Sequence, residues 1–143
     1  MKRTPLKRGK RIRPKRKNPR WNQNRNLIEL FLEDHHDCQL RGIFTPPGGH
    51  CQGVDPHHLL RIKVDVVEAL LSVCRACHTW GHEHDREFAA FTLLAKHRAG
   101  ELDVDRLSEL KGKRIEWFLQ PIDGMRPEAL QAIEELKGKG IYW

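Results

Sequence analysis

Short apolar runs, separated by polar residues, prolines and glycines, predict a core of one hairpin and one helix with short helices around it. Residues 27–32, LIELFL, follow asparagines that can cap a helix, and they predict about two helical turns. Residues 38–51 hold a Pro-Pro-Gly-Gly sequence between apolar pieces, which is typical of a hairpin with a loose tip. Residues 54–62, VDPHHLLRI, should be extended or turning, because proline disfavours a helix at the residue before it.

Helical spacing governs the second half of the chain. Apolar residues within 88–95 recur at helical intervals and predict a helix over about 74–97, with a weak point at Gly81. Residues 103–120 predict a further helical segment with a capping aspartate near its start and a proline after its end. Residues 126–140 predict another, because a proline stands near its start and glycines stand near its end.

Charge is distributed unevenly along the 143 residues. Residues 1–20 contain eleven Lys or Arg and no Asp or Glu, which leaves 15 of the 26 basic residues and all 19 acidic ones in the rest of the chain. This basic arm has few apolar residues and three prolines, so it is predicted to be disordered in solution. Because neutralised phosphates release counterions, the arm suits salt-sensitive binding to nucleic acid; a solubilising tail is the alternative. The expected phosphate contacts of the arm are Lys7, Arg8, Arg11, Arg13, Lys15, Arg16 and Lys17.

The expected compartment is the cytosol. No stretch reaches the roughly 18 consecutive apolar residues of a spanning helix, and the N-terminus lacks the apolar segment of a secretory signal. A role at the membrane surface is disfavoured, because no helix beside the basic arm has a large apolar face. In a reducing compartment the four cysteines are better explained as metal ligands than as disulfides.

The cysteines predict a structural zinc site. Cys74 and Cys77 have the spacing that lets two thiolates reach one tetrahedral ion. A hairpin that brought the ends of 38–51 together would add two more thiolates, and four thiolates select zinc. The expected ligands are Cys38, Cys51, Cys74 and Cys77. Buried reduced cysteines without metal, and a mixed site with His50 or His84 in place of one cysteine, are the alternatives.

The histidines predict a second metal site. His78 and His82 are four residues apart, so on a helix they lie on one face and can bind one ion. Cys77 points elsewhere on this helix, so one helix can serve two metals. His57 and His58 are adjacent and point to opposite sides of an extended segment, so one can bind metal while the other faces a water.

The paired histidines and the sequence CRACHTWGH at 74–82 resemble the HNH endonucleases, over about 45 residues of this chain. The family has a ββα-metal fold, and the small size and basic start are similar to its phage-type members. By position, the resemblance implies that His57, His78 and His82 bind the catalytic ion and that His58 is the general base. It also implies that the two cysteine pairs hold a structural zinc.

Two departures from the family pattern stand out. The family has a central asparagine that pins the loop between the histidines; it would lie nine residues before His78, where this chain has Ala69. Either another residue pins the loop, or the packing of its apolar residues, Val66, Val67, Leu70 and Leu71, holds it. The first cysteine pair is also spread by an inserted loop.

The chemistry that the resemblance implies is hydrolysis of a phosphodiester. One divalent ion, Mg, Mn, Ni or Zn, would stabilise charge at the phosphate and at the leaving oxygen, while His58 takes a proton from water. Arg61, Lys63 and Arg75 lie near the predicted site in sequence and could hold phosphates.

The predicted architecture is an α+β fold with a small ββα-metal core, a zinc-bound hairpin and flanking short helices. Residues 1–20 would form the disordered basic arm, 21–100 the nuclease core and 101–143 a C-terminal helical extension. The expected partner is DNA and not a membrane, in the host cytosol if a phage encodes the chain; the extension leaves open a protein partner or a homodimer. Two other functions stay open: a zinc-stabilised nucleic-acid-binding protein with an inactive HNH site, and a zinc-dependent scaffold for a protein partner.

Overall fold

The structure is a computed structural model that describes residues 19–140, with the side chains of residues 26–140. In this part of the chain a two-stranded antiparallel sheet is combined with five α-helices and three short 3₁₀ helices, a mixed α+β arrangement. The expected phosphate contacts of the basic arm lie outside the described residues: Lys7, Arg8, Arg11, Arg13, Lys15, Arg16 and Lys17.

The elements follow one another in a simple order. The helices are α1 (Pro19–Asp34), α2 (Arg75–Glu83), α3 (Asp85–Arg98), α4 (Val104–Lys111) and α5 (Pro127–Gly138). The strands are β1 (Asp55–His58) and β2 (Leu70–Val73). The 3₁₀ helices are Leu59–Arg61, Val67–Ala69 and Ile115–Leu119.

β1 and β2 form the hairpin of the fold, and residues 59–69 between them are called the inter-strand loop below. Pro56 lies opposite Ser72 in this hairpin. The backbone N–H and C=O of Ser72 both bond to Gln39, on the other side of β2. The N–H that proline lacks therefore costs the hairpin no hydrogen bond, which explains how a proline sits in a strand.

The hairpin predicted at residues 38–51 is wrong. This segment forms turns, and the N–H of Phe44 bonds to the C=O of Leu40. Gly48 and Gly49 both adopt positive φ, which turns the backbone where a hairpin tip was expected. The two prolines before them lack an N–H, so the segment closes on itself instead of pairing. The turns still bring the two ends of the segment close together, as the predicted hairpin was expected to do.

α1 is longer than the helix predicted from residues 27–32, although both end at Asp34 or just before it. It begins at Pro19, whose fixed φ suits the first helical position. Residues 19–26 contain a single apolar residue besides that proline, so no apolar periodicity marks this part of the helix in the sequence. Phe31 anchors the helix to the core with 3% of its surface exposed.

The helix predicted over 74–97 is divided into α2 and α3. The break lies at His84, where φ is −136° and ψ is 56°. Gly81 stands three residues before the break, with the ring of Phe88 from α3 packed against its backbone. The weak point was therefore predicted close to the observed break, and the glycine serves a tight contact between two helices.

α3 is the centre of the core, because every residue from Phe88 to Lys96 is buried. α5 packs against α3 and buries its own apolar face, Ala129, Ala132, Ile133 and Leu136. The C-terminal helices therefore share one core with the hairpin and α2. Among the described residues, no helix combines the length and apolar character needed to cross a membrane.

The contact at Gly81 gives a prediction about stability. A Cβ at this position would overlap the ring of Phe88, so Gly81→Ala should lower the free energy of unfolding by about 1–3 kcal/mol through overpacking. Gly138→Ala is the matched control, because a Cβ at Gly138 meets no atom within 4 Å and alanine favours a helix by up to about 1 kcal/mol. Urea unfolding followed by circular dichroism measures both. A Gly81→Ala protein as stable as the Gly138→Ala control would contradict the packing described here.

Candidate metal centres

Three cysteines and one histidine converge at the start of α2. One ligand atom from each of Cys38, His50, Cys74 and Cys77 lies within 4.8 Å of all the others, and we call this group the Cys3His cluster. The Sγ atoms of Cys38 and Cys77 are 3.7 Å apart. Nδ1 of His50 lies 3.5 Å from Sγ of Cys77 and 3.6 Å from Sγ of Cys74.

These separations fit a tetrahedral zinc ion. With Zn–S bonds of about 2.3 Å and Zn–N bonds of about 2.0 Å, a tetrahedral ion places two sulfurs about 3.8 Å apart and a sulfur and a nitrogen about 3.5 Å apart. The distances within the Cys3His cluster agree with both values. Three thiolates and one imidazole are also a donor set that favours zinc. The cluster can therefore hold a structural zinc ion.

Hydrogen bonds to β2 place Cys38 in the cluster. The N–H of Gln39 bonds to the C=O of Ser72 at 2.8 Å, and the N–H of Ser72 bonds to Oε1 of Gln39 at 2.9 Å. The hydroxyl of Ser72 donates to the C=O of Asp37 at 2.9 Å. Both neighbours of Cys38 are thus tied to the residue two positions before Cys74, which is why two cysteines far apart in sequence meet.

The thiols of the cluster differ in their affinity for protons. The hydrogen bond between Cys38 and Cys77 lowers the pKa of Cys38 to about 5. The same contact, together with burial, raises the pKa of Cys77. The contact therefore favours a thiolate at Cys38 and a protonated thiol at Cys77. Because zinc binds thiolates, its binding has to release the proton of Cys77.

The structure places His50, and not Cys51, in the cluster. Cys51 lies outside the group, and its Sγ accepts the N–H of Ala76 at 3.3 Å. Of these two neighbours, His50 is the one whose Nδ1 lies within 3.6 Å of the sulfurs of Cys74 and Cys77. His84 also stays outside, because its ring stacks on Trp80 with centroids 4.0 Å apart. The four-thiolate set is thus replaced by the mixed set with His50.

Four histidines line a second site beside the first. His57 and His58 from β1, and His78 and His82 from α2, line one cavity of about 690 Å³. The ring centroids of His57 and His78 are 5.4 Å apart, and those of His78 and His82 are 4.7 Å apart. We call this cavity the histidine pocket. In the described part of the chain, only the Cys3His cluster brings three or more ligand atoms all within 4.8 Å, so the imidazoles adjoin less closely than the thiolates.

Burial favours the neutral form of two rings in the histidine pocket, those of His57 and His78. It lowers the pKa of His57 to about 3, and the neighbouring His78, His58 and His82 add to the effect. The pKa of His78 is also lowered by burial, although Asp55, 3.6 Å from its Nδ1, acts in the opposite direction. Neutral imidazoles have a free lone pair, which is the state that binds a metal.

His58 has a carboxylate partner that the sequence did not predict. Its Nε2 lies 2.6 Å from Oδ1 of Asp65, and both side chains are partly buried. Asp65 belongs to the inter-strand loop and lines the histidine pocket. A single acidic residue seven positions after a histidine gives no periodic signal, so only the folded loop reveals the pair.

Cations surround the histidine pocket. Arg61 and Lys63 line it, and Arg61 also pairs with Asp85 at 2.6 Å. Arg75 is not among the lining residues, because its guanidinium pairs with Asp55. Two further cations line the pocket, Arg86 in the first turn of α3 and Lys111 at the end of α4.

Comparison of the chain with protein-family models, with curated proteins and with solved structures found no match.

The assignment of His50 gives a prediction about metal binding. Loss of a residue that only supports a metal ligand weakens metal binding by roughly tenfold to a hundredfold. His50→Ala removes a ligand itself, so it should weaken binding of Co²⁺ to the cluster by more than that. Cys51→Ser should leave affinity and spectrum unchanged, because its sulfur lies outside the cluster. The charge-transfer absorption between thiolate and Co²⁺ measures this cluster alone, since the histidine pocket has no thiolate. Loss of absorption in Cys51→Ser with full binding in His50→Ala would restore the four-thiolate set.

Proposed function

We propose that the chain is a metal-dependent HNH endonuclease that hydrolyses phosphodiester bonds in DNA. The observation that carries the proposal is the histidine pocket, in which two histidines of β1 and two of α2 face one cavity. The order strand, strand, helix agrees with the ββα-metal unit that the resemblance implies. A zinc-compatible cluster at the start of the same helix is a second point of agreement.

The ligands of the catalytic ion would be His57, His78 and His82. His57 is held neutral by its low pKa, and His78 and His82 are one helical turn apart on α2. When bound, a divalent ion supplies Lewis-acid stabilisation of charge on the phosphate and on the leaving oxygen. Imidazole ligands suit Mn, Ni or Zn better than Mg, which prefers oxygen ligands.

His58 would act as the general base. Asp65 accepts a hydrogen bond from Nε2–H of His58, and this tautomer leaves the lone pair on Nδ1. Nδ1 can then take a proton from the attacking water, while the carboxylate stabilises the imidazolium that forms. His58 and Asp65 form the acid–base pair of the proposed reaction.

The cations around the pocket suit a phosphate backbone. Arg61, Lys63, Arg86 and Lys111 line the cavity, and Lys63 is exposed. Such contacts position nucleic acid without reading its sequence. The basic arm would add the long-range, salt-sensitive part of the attraction.

A second candidate function is a nucleic-acid-binding protein with an inactive HNH site. Ala69 stands where the family has its asparagine, and the ligand atoms of the three histidines are not all within 4.8 Å of one another. Binding of nucleic acid without cleavage would support this candidate.

Nicking of supercoiled plasmid tests the base. With Mn²⁺ or Ni²⁺ present, His58→Ala should slow nicking by about a hundredfold to ten-thousandfold, because the water loses its proton acceptor. A chelator should abolish nicking by the native chain. His36→Ala is the matched control, since the side chain of His36 is 79% exposed and lies outside the pocket.

Two outcomes would contradict the proposal in different ways. Nicking by His58→Ala at the native rate would remove the base and keep the nuclease. A native chain that binds DNA but does not nick it with any divalent ion would favour the inactive candidate.

Asp65 gives a separate prediction. Asp65→Asn removes the negative charge that stabilises protonated His58, so the nicking rate should fall by about tenfold to a hundredfold while DNA affinity stays unchanged. Single-turnover rates and filter binding separate the two quantities. Asp37→Asn is the control, because the side chain of Asp37 is 78% exposed and lies outside the pocket. An unchanged rate in Asp65→Asn would show that the carboxylate is a bystander.

A further inference from the structure

Lys96 is the one buried charged residue among the described side chains. No part of it is exposed, and it lies in the last turn of α3. Removal of an ammonium from water is costly unless the group is paired and hydrogen-bonded. Burial accordingly lowers the pKa of Lys96, while Glu101 acts against this shift from 3.5 Å away. Because burial of the Lys96 ammonium is costly, its hydrogen-bond partners are expected to matter for the structure.

The contacts of Lys96 lead to the inter-strand loop. Its Nζ donates to the C=O of Val67 at 3.0 Å and to the C=O of Leu70 at 2.6 Å. These two carbonyls stand on either side of Glu68 and Ala69. The ring of Phe31 in α1 lies 5.1 Å from the ammonium and closes the site from another direction.

The two carbonyls are close to the proposed base along the backbone. Leu70 is the residue directly opposite His58 in the hairpin. Val67 lies two residues after Asp65, the hydrogen-bond partner of His58. The ammonium therefore holds the backbone at two points near His58: at Leu70, which lies opposite it in the hairpin, and at Val67, which is close to its partner Asp65.

The start of the same loop is held by a second lysine. Leu60 and Arg61 have φ of 53° and 59°, a region that residues other than glycine rarely adopt. Nζ of Lys111 donates to the C=O of Leu60 at 2.8 Å. Two lysines of the helices behind the loop thus hold its two ends.

We propose that Lys96 is a positioning residue whose two hydrogen bonds fix the inter-strand loop and so keep His58 and Asp65 in place. Ala69 has no side-chain group that could pin the loop, and Lys96 supplies the hydrogen bonds from a different element. Packing holds part of the loop, since Leu70 and Leu71 are fully buried and Val66 packs against the core, but Val67, whose C=O accepts from Lys96, is 44% exposed. The effect on catalysis rests on the proposed nuclease function, whereas the effect on the loop does not.

Lys96→Met tests the proposal, because methionine keeps an unbranched side chain and removes the ammonium. We expect kcat for nicking to fall about tenfold or more, with KM within about twofold, because the base is misplaced while the substrate cations remain. Arg98→Met is the matched control. It removes a cation from the same helix, where Arg98 pairs with Glu135 and does not contact the loop.

Hydrogen exchange gives a measurement that does not depend on activity. In the native chain the N–H of Ala69, which bonds to the C=O of Val66 at 3.0 Å, should exchange about a hundredfold or more slowly than in an unstructured peptide. Lys96→Met should speed exchange at Ala69 at least tenfold, while amides in the middle of α3, such as that of Phe91, stay protected.

The outcomes separate the two proposals. Rapid exchange at Ala69 in the native chain, or unchanged exchange and kcat in a folded Lys96→Met protein, would overturn the role of Lys96. If Lys96→Met does not fold, the protection of Ala69 in the native chain decides. A native chain without nicking activity would refute the nuclease function. The effect of Lys96 on the inter-strand loop would then be tested by hydrogen exchange at Ala69 alone.

Discussion

The first two turns of α2 are the constraint on which both candidate metal centres depend. Cys74 and Cys77 lie beside Cys38 and His50 from the turns of 38–51. His78 and His82 line the same cavity as the two histidines of β1. Because residues three or four apart on a helix lie within one turn of each other, a rotation of α2 that misplaced one set would misplace the other. A zinc ion in the Cys3His cluster would therefore fix the direction of two imidazoles that it does not touch. A metal ion in this cluster and the proposed catalytic site would be coupled through one rigid element.

The hairpin between these centres is too small to be stable alone. Each strand has four residues, and a two-stranded hairpin of this size is marginal in water without packing partners. It is held from two sides. Gln39, the residue after Cys38 of the Cys3His cluster, forms hydrogen bonds with the edge of β2 that does not face β1. Lys96 of α3 donates a hydrogen bond to the C=O of Leu70. These polar contacts to the backbone add to the packing of β2, whose four residues are all buried.

The parts of the site that could be predicted are those that depend on the spacing of residues within one short segment. Cys74 and Cys77, and the histidines of α2, belong to one continuous segment, so their relative positions follow from helix geometry. The choice between His50 and Cys51 depends on where distant turns place two neighbouring side chains, which spacing does not contain. Lys96 left no signal either, because a lysine among apolar residues of a helix is ordinarily read as exposed.

A loop held from α3 makes the C-terminal extension part of the proposed site. α5 covers α3, whose residues 88–96 are all buried, and α4 supplies Lys111 to the start of the inter-strand loop. An asparagine within the loop would pin it locally, and its effect would not depend on the C-terminal residues. A lysine on α3 instead transmits the packing of α5 to the backbone beside His58, because the ammonium can hold the loop only while α3 keeps its place. The boundary predicted near residue 100 therefore separates two stretches of sequence that share one core, and a chain shortened at that boundary would lose the support of its loop.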